Sequence, residues 1–188
     1  ATVIAMLFRE RNRQPRRATA RLLLAGILSD TMLLKGPTVT AADRDMVAWL
    51  AGRAKFAYEK FALAFFAAGA KLDPARLAET LAQDFKEYAA GVVRFGIGQI
   101  ETVGFAAVEP YFGRLAEEVA RLRRRAGLRL CGLMVTDIST RTSVLLADGE
   151  PALLTLLPFP APGPGRYDLR DIISRKKQLV PLLLRLLA

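Results

Sequence analysis

The chain has 188 residues, 52% of them hydrophobic, which is enough apolar surface for one good core or two modest lobes and excludes a disordered tail. Its 28 Lys and Arg outnumber 18 Asp and Glu, and a net charge of +10 favours an anionic partner. The uncharged stretches fall short of the roughly 20 apolar residues of a membrane-spanning helix, and the only cysteine, Cys131, excludes an intrachain disulfide. We therefore expect a cytoplasmic protein without a membrane partner.

The first third of the chain shows apolar residues at helical spacing. This spacing predicts helices over residues 1–13 and 16–29, and Pro15 stands where the second would begin. Thr40 followed by Asp43 is a capping-box pattern, which predicts another helix. That helix should run through Leu50, and a fourth should fill 56–68. The first lobe is therefore predicted to be helical.

A change of pattern near residues 70 to 73 predicts a boundary between a first domain, 1–70, and a second, 71–188. The elements predicted after the boundary are a helix from Asp73 to about Leu81, a strand at 92–103, a helix at 108–125 that Gly127 ends, strands at 128–136 and 142–147, and a proline-rich loop at 158–165. Strand, helix and strand in succession indicate an α/β lobe with a mixed sheet.

Near the carboxyl terminus, three successive cations stand in Ser174-Arg-Lys-Lys-Gln178. A guanidinium offers two phosphate oxygens a planar fork, and an ammonium adds a compact positive charge, so the pair suits a polyanion. Taken alone, the pattern also fits a solvated loop.

This segment resembles the SRKKQ motif of the DHH-type, or family II, manganese-dependent inorganic pyrophosphatases. Further blocks are similar to that family in the same order along the chain: Leu24–Thr31 with Lys35–Thr38, Asp84-Phe-Lys86, Gly98–Val103, and Met134–Ile138. Several collinear blocks are far more specific than any one of them. The sequence is therefore identified as a member of this family.

The resemblance implies hydrolysis of pyrophosphate to two orthophosphates by water activated on Mn²⁺, with Mg²⁺ or Co²⁺ as alternatives. It implies that Asp30 is a metal ligand and that Lys86, Arg175 and Lys176 bind the substrate. Residues 1–70 would be the last part of the metal-binding DHH domain and residues 71–188 the DHH-associated substrate-binding domain. A homodimer would form through the first domain.

Two departures from the family pattern stand out. The chain contains no histidine, so the DHH triplet and the other histidine ligands are absent, and Asp30 alone cannot hold the metal. We therefore expect a piece of a longer protein that is inactive by itself. Gly36 also replaces a serine in the family's KSPT turn.

Two other functions remain open at this stage. Related DHH enzymes include exopolyphosphatases and prune-like phosphodiesterases, and the same cations would grip any polyphosphate. The arginine clusters at 9–21 and 121–129 alternatively suggest a non-catalytic module that binds nucleic acid or another polyanion. Nucleic acid is not the expected partner, because aromatic residues are not interleaved with these arginines.

Overall fold

The computed structural model describes residues 1–55, 58–69 and 72–188, apart from the side chains at positions 59, 63, 67 and 69. The chain divides into two compact units, Ala1–Phe66 and Ala67–Ala188. The predicted boundary between residues 70 and 71 falls on positions outside the described ones. Within the described ranges, no helix has the length and apolar character needed to cross a membrane.

The first unit is helical, as predicted. Its helices are α1 (Thr2–Glu10), α2 (Arg17–Asp30), α3 (Ala41–Ala54) and α4 (Tyr58–Gly69), which runs past the end of the unit. Phe56, where the fourth helix was predicted to begin, lies outside the described residues. The side chains of the core are contributed by all four helices: Ala5, Ala20, Leu24, Ile27, Leu28, Met46, Val47, Leu50, Ala54 and Ala62.

The capping box at the start of α3 is confirmed. The Thr40 hydroxyl accepts a hydrogen bond from the Asp43 amide at 3.3 Å, and the Asp43 carboxylate accepts one from the Thr40 amide at 2.8 Å. A hydrogen bond from the Thr2 hydroxyl lowers the pKa of the buried Asp43 carboxyl, burial opposes this shift, and the bonds from Thr40 add to it. The carboxylate thus ties the first turn of α3 to α1.

The second unit is built on one five-stranded sheet. Its strands are β1 (Phe85–Ala90), β2 (Val93–Thr102), β3 (Leu130–Asp137), β4 (Thr142–Gly149) and β5 (Arg166–Arg170), paired in that order. The β2–β3 pair is parallel and the other three are antiparallel, so the predicted mixed α/β sheet is confirmed. All eight residues of β3 are buried because both faces of the sheet are covered.

Helices cover the two faces of this sheet. On one face lie α5 (Leu77–Gln83) and α6 (Phe112–Ala126); on the other lie α7 (Pro151–Leu154) and α8 (Val180–Leu186). Successive strand residues point to opposite faces. In β2, therefore, Ile100 packs with α5 and α6, whereas Phe95 and Ile97 pack with α7 and α8.

The structure corrects two predicted helix starts. The helix predicted from Asp73 begins at Leu77, because the Arg76 amide donates to the Asp73 carbonyl at 2.9 Å and closes a turn first. The helix predicted from Val108 begins at Phe112, since two 3₁₀ turns, one of them containing Pro110, come before it. The predicted end is confirmed: Gly127 follows α6 at a φ of 62°.

Candidate functional site

The Ser174–Gln178 segment forms a wide turn that leads directly into α8. The Ser174 carbonyl accepts hydrogen bonds from the Gln178 amide at 3.0 Å and the Leu179 amide at 3.2 Å, which is a single turn of π-helix. The Ser174 hydroxyl also accepts from the Lys177 amide at 3.3 Å. The flanking serine therefore fixes the backbone on which the three cations stand.

Two glutamine side chains hold this turn against the sheet. Gln99 on β2 donates through Nε2 to the Ile173 carbonyl at 3.2 Å, and its Oε1 accepts from the Arg175 amide at 3.3 Å. Oε1 of Gln178 accepts from the amides of Ile173 and Ser174, both at 3.0 Å. The polar groups on either side of the cations are thus paired with neutral partners, and none of these hydrogen bonds uses the side chain of Arg175, Lys176 or Lys177.

A hydroxyl pair continues the network beneath the turn. Gln99 Nε2 also donates to Oγ1 of Thr136, which is fully buried, at 3.2 Å. The Ser143 hydroxyl donates to the Ile172 carbonyl at 2.6 Å, and its oxygen lies 3.0 Å from the same Thr136 oxygen. The segment before the turn is therefore anchored to β2, β3 and β4.

Arg175 reaches back to the first two strands. Its Nη2 forms an ion pair with Oδ1 of Asp84 at 2.8 Å, and its Nη1 donates to the carbonyls of Asp84 and, at 3.1 Å, of Ile97. The residue is only 8% exposed, and its Nε is buried with no hydrogen-bond partner among the described residues. Arg175 therefore clamps the turn to β1 and β2 through one edge of its guanidinium.

Lys86 lies on the same face of the sheet as Arg175. It pairs in register with Ile97, and paired residues project to one face, here the face on which Gln99 meets the turn. Lys86 is exposed, as are Lys176 and its neighbour Lys177. No ion pair to these three lysines occurs within the described part of the chain. Lys86 and Arg175 thus share one face of the sheet at the β1–β2 edge, and the exposed Lys176 follows Arg175 in the turn.

Acidic groups border this region. Burial raises the pKa of the Glu101 carboxyl, and the negative charge of Asp84 adds to the shift. Neither of these residues, nor Gln99, was singled out from sequence, although all three lie within the matched blocks at 84–86 and 98–103. Their place inside these matched blocks was the sequence feature that could have identified them.

Asp137, at the end of β3, organises a neighbouring loop. Its carboxylate accepts hydrogen bonds from the Gly104 amide at 2.9 Å, from the amide and hydroxyl of Ser139 at 2.8 and 2.6 Å, and from the Thr140 hydroxyl at 2.8 Å. Burial alone would raise the pKa of Asp137, but these hydrogen bonds outweigh burial and lower it. The carboxylate is therefore a structural clamp in its ionised form.

Asp30, the predicted metal ligand, lies in the first unit at the end of α2. Its side chain is 75% exposed, and its carboxylate lies 4.0 Å from the amino-terminal ammonium. The described residues contain no group of three His, Cys, Asp or Glu side chains that could hold a metal ion. The described residues therefore offer no complete set of metal ligands. Lys35, in the matched block that follows Asp30, is exposed.

Comparison with known proteins gives the family of the chain. The model of the DHHA2 domain matches residues 63–186, about two thirds of the sequence and the whole of the sheet. The chain belongs to the DHHA2 domain family. The basic turn, Gln99 and Asp84 all lie inside the matched DHHA2 region.

Similarity to individual proteins extends beyond the DHHA2 domain. The chain is 31% identical over 188 residues to the cobalt-dependent inorganic pyrophosphatase of Clostridium perfringens, covering 100% of this chain and 34% of that protein. It is also 31% identical to the manganese-dependent inorganic pyrophosphatase of Bacillus subtilis, covering 97% of this chain and 60% of the relative. The chain thus spans between a third and three fifths of the length of these relatives.

A solved structure gives the same relationship. A Methanococcus jannaschii protein assigned to the family II inorganic pyrophosphatases superposes with a TM-score of 0.80 at 28% identity, covering 98% of this chain and 63% of that one. The mixed α/β fold is therefore shared with a family II structure.

Proposed function

We propose that this chain is the pyrophosphate-gripping part of a metal-dependent inorganic pyrophosphatase. The observation that carries the proposal is that Lys86 and Arg175 share one face of the DHHA2 sheet at its β1–β2 edge, with the exposed Lys176 next to Arg175 in the turn. The names of the relatives in Clostridium perfringens and Bacillus subtilis support pyrophosphate as the substrate.

The chemistry fits these cations. Phosphoryl transfer requires positioning and neutralisation of the charge on the phosphate oxygens more than covalent participation by the protein. Lys86 and Lys176 are exposed and provide mobile ammonium groups that contact the two phosphate groups of pyrophosphate. Arg175, clamped by backbone carbonyls and Asp84, places a fixed positive charge behind them.

The metal belongs to the same proposal. Relatives are named for manganese or cobalt, and we assign Mn²⁺, with Co²⁺ or Mg²⁺ as substitutes, to the whole enzyme. When bound, such an ion activates water at neutral pH. Asp30 would contribute one ligand, but the described residues supply no complete ligand set, so no step of the reaction is assigned to a metal held by them.

This assignment predicts that the 188-residue chain does not hydrolyse pyrophosphate on its own. A steady-state phosphate-release assay with Mn²⁺ measures this directly. Turnover in the ordinary enzymatic range of roughly 1 to 1000 per second would contradict the assignment. Within the same proposal we place the whole protein in the cytoplasm as a homodimer formed through its first domain.

The binding role is tested by titrating the chain with pyrophosphate in a calorimeter, in metal-free buffer. Lys86→Ala and Lys176→Ala should each weaken binding by about tenfold, the usual loss for one charge-assisted contact. Lys177→Ala is the matched control, because it removes the same charge from the same turn, and it should change the affinity by less than about twofold. Equal losses for Lys176→Ala and Lys177→Ala would reduce the site to non-specific charge attraction and contradict the proposal. Tighter binding of tripolyphosphate than of pyrophosphate would move the assignment to a polyphosphatase.

A further inference from the structure

A basic concavity lies in the first unit, between the start of α2 and the end of α3. It is lined by Pro15, Arg17, Trp49, Gly52, Arg53 and Lys55, with a volume of about 490 Å³. Pockets of roughly 300 to 1000 Å³ are typical of small-molecule sites. None of the three cations of the Ser174–Gln178 turn lines this concavity, so it needs a separate explanation.

The lining carries positive charge that is positioned but not neutralised. Arg17 donates to the carbonyls of Ala54 at 3.2 Å and Lys55 at 3.3 Å, and Arg53 donates to the side-chain oxygen of Gln14. These acceptors are neutral, and no carboxylate pairs with Arg17, Arg53 or Lys55 in the described part of the chain. Neutral partners fix the guanidinium groups and leave their full charge for an incoming anion.

The net charge of the first unit also favours an anionic ligand. Residues 1–66 contain eleven Lys and Arg but five Asp and Glu. The Nε of Arg53 is buried and has no hydrogen-bond partner among the residues that the structure describes, although buried polar groups are normally paired. An anion that reaches the Arg53 side chain would relieve the like-charge repulsion among the three cations.

The aromatic side chain in the lining, Trp49, indicates which kind of anion the pocket binds. Trp49 is half-buried, and the Arg53 guanidinium carbon lies 5.8 Å from the centre of its ring. A bare phosphate ion gains nothing from an indole surface, whereas a flat nucleobase stacks on one with a gain of about 1 to 3 kcal/mol. We propose that this pocket binds a nucleoside phosphate, with its phosphate on Arg17, Arg53 and Lys55 and its base against Trp49.

A single small molecule fits better than a nucleic-acid strand. Among the described residues that line the concavity, Trp49 is the one aromatic side chain, whereas strands are bound on successive stacking platforms. Gly52 adds to the open volume, because a Cβ built on it would meet nothing within 4 Å. The volume and the single described aromatic side chain therefore suit one base with its phosphates.

Trp49 is the only tryptophan of the chain and reports directly on this pocket. We expect ADP, titrated in metal-free buffer, to change the Trp49 fluorescence saturably. Orthophosphate and adenosine, which each offer half of the recognised chemistry, should bind at least about tenfold more weakly. If orthophosphate bound as tightly as ADP, the nucleoside part of the ligand would not be recognised and the proposal would be overturned. If a single-stranded oligonucleotide bound more tightly per site than ADP, the ligand would be a strand and not a single small molecule.

Variants locate the binding. Arg53→Gln should lower the affinity for ADP by at least about tenfold. Arg9→Gln makes the same charge change outside the lining and should change the affinity for ADP by less than about twofold. Gly52→Glu places a carboxylate among the three cations and should abolish binding. It should keep the fold, because glutamate has a higher helix propensity than glycine and a Cβ at position 52 meets nothing within 4 Å. Unchanged ADP affinity in Gly52→Glu would overturn the proposal.

The result is separable from the pyrophosphate proposal. Lys176→Ala removes a cation of the candidate site in the second unit and should leave the ADP-dependent change in Trp49 fluorescence intact. Loss of the fluorescence response in Lys176→Ala would show that ADP acts through the DHHA2 site and would contradict a separate pocket.

Discussion

Replacing Asp84 by asparagine should affect stability and phosphate binding in opposite directions. The carboxylate is 53% exposed, whereas the Arg175 side chain to which it bonds at 2.8 Å is 10% exposed. Hydrogen bonds to charged groups contribute about 1.5 to 3 kcal/mol when buried, and exposure of one partner reduces this. Because the asparagine oxygen still accepts a hydrogen bond, we expect a loss of about 1 kcal/mol, or about 3 °C in melting temperature.

The same change removes a negative charge beside the proposed pyrophosphate site. A unit charge about 6 to 8 Å from a phosphate, at an effective dielectric constant of about 40 to 80, contributes roughly 0.5 to 1.4 kcal/mol of repulsion. Asp84→Asn should therefore tighten pyrophosphate binding by about twofold to tenfold. Calorimetric titration in metal-free buffer gives the affinity, and urea unfolding gives the stability.

Glu87→Gln, on β1 close to Asp84, is the matched control. Its ion pair with Arg94 at 2.9 Å joins two half-exposed side chains, so its loss should cost less than about 0.5 kcal/mol and leave the affinity unchanged. Weaker pyrophosphate binding in Asp84→Asn would refute the reasoning, since it would mean that Asp84 holds Arg175 in the binding geometry instead of opposing the substrate's charge.

Three further changes test other parts of the site. Gln99→Leu should weaken pyrophosphate binding by about tenfold and destabilise the chain by about 1 to 3 kcal/mol, because it leaves the Arg175 amide and the Ile173 carbonyl without their partner; calorimetry and urea unfolding measure both. Glu101→Gln should raise the melting temperature at pH 7, because the raised folded-state pKa means that folding disfavours the ionised carboxylate. This gain in melting temperature should vanish once the pH falls below the unfolded-state pKa of about 4.3. The lowered pKa of Asp137 gives the opposite sign: its stabilisation is complete above about pH 3.9 and is lost as the pH falls further, so Asp137→Asn should flatten that part of the acid-unfolding curve.

The predictable parts of the fold are those with a strong local pattern. The capping box at Thr40 and the glycine stop at Gly127 depend on neighbouring residues, and both were found where the sequence indicated. β1 was not predicted as a strand. It is a short edge strand that carries two exposed charged residues, Lys86 and Glu87. Its extended form comes from its pairing with β2.

The candidate site also has a part that the sequence predicts and a part that it does not. The cationic turn could be located from its motif, but the partners that hold Arg175 lie 91 residues away at Asp84 and 76 residues away at Gln99. Sequence spacing carries no information on such contacts, which exist only once β1 and β2 pair and α8 packs on their face. The clamped state of the arginine was therefore visible only in the folded chain.

We propose that pyrophosphate binds at the β1–β2 edge beside the basic turn. The test is to follow the amide chemical shifts of the ¹⁵N-labelled chain by NMR during a pyrophosphate titration in metal-free buffer. We expect the largest shifts at the Ser174–Gln178 amides and around Lys86, with small changes elsewhere in the sheet. Shifts that spread evenly over all exposed cations, or that leave the Ser174–Gln178 amides unmoved, would contradict it.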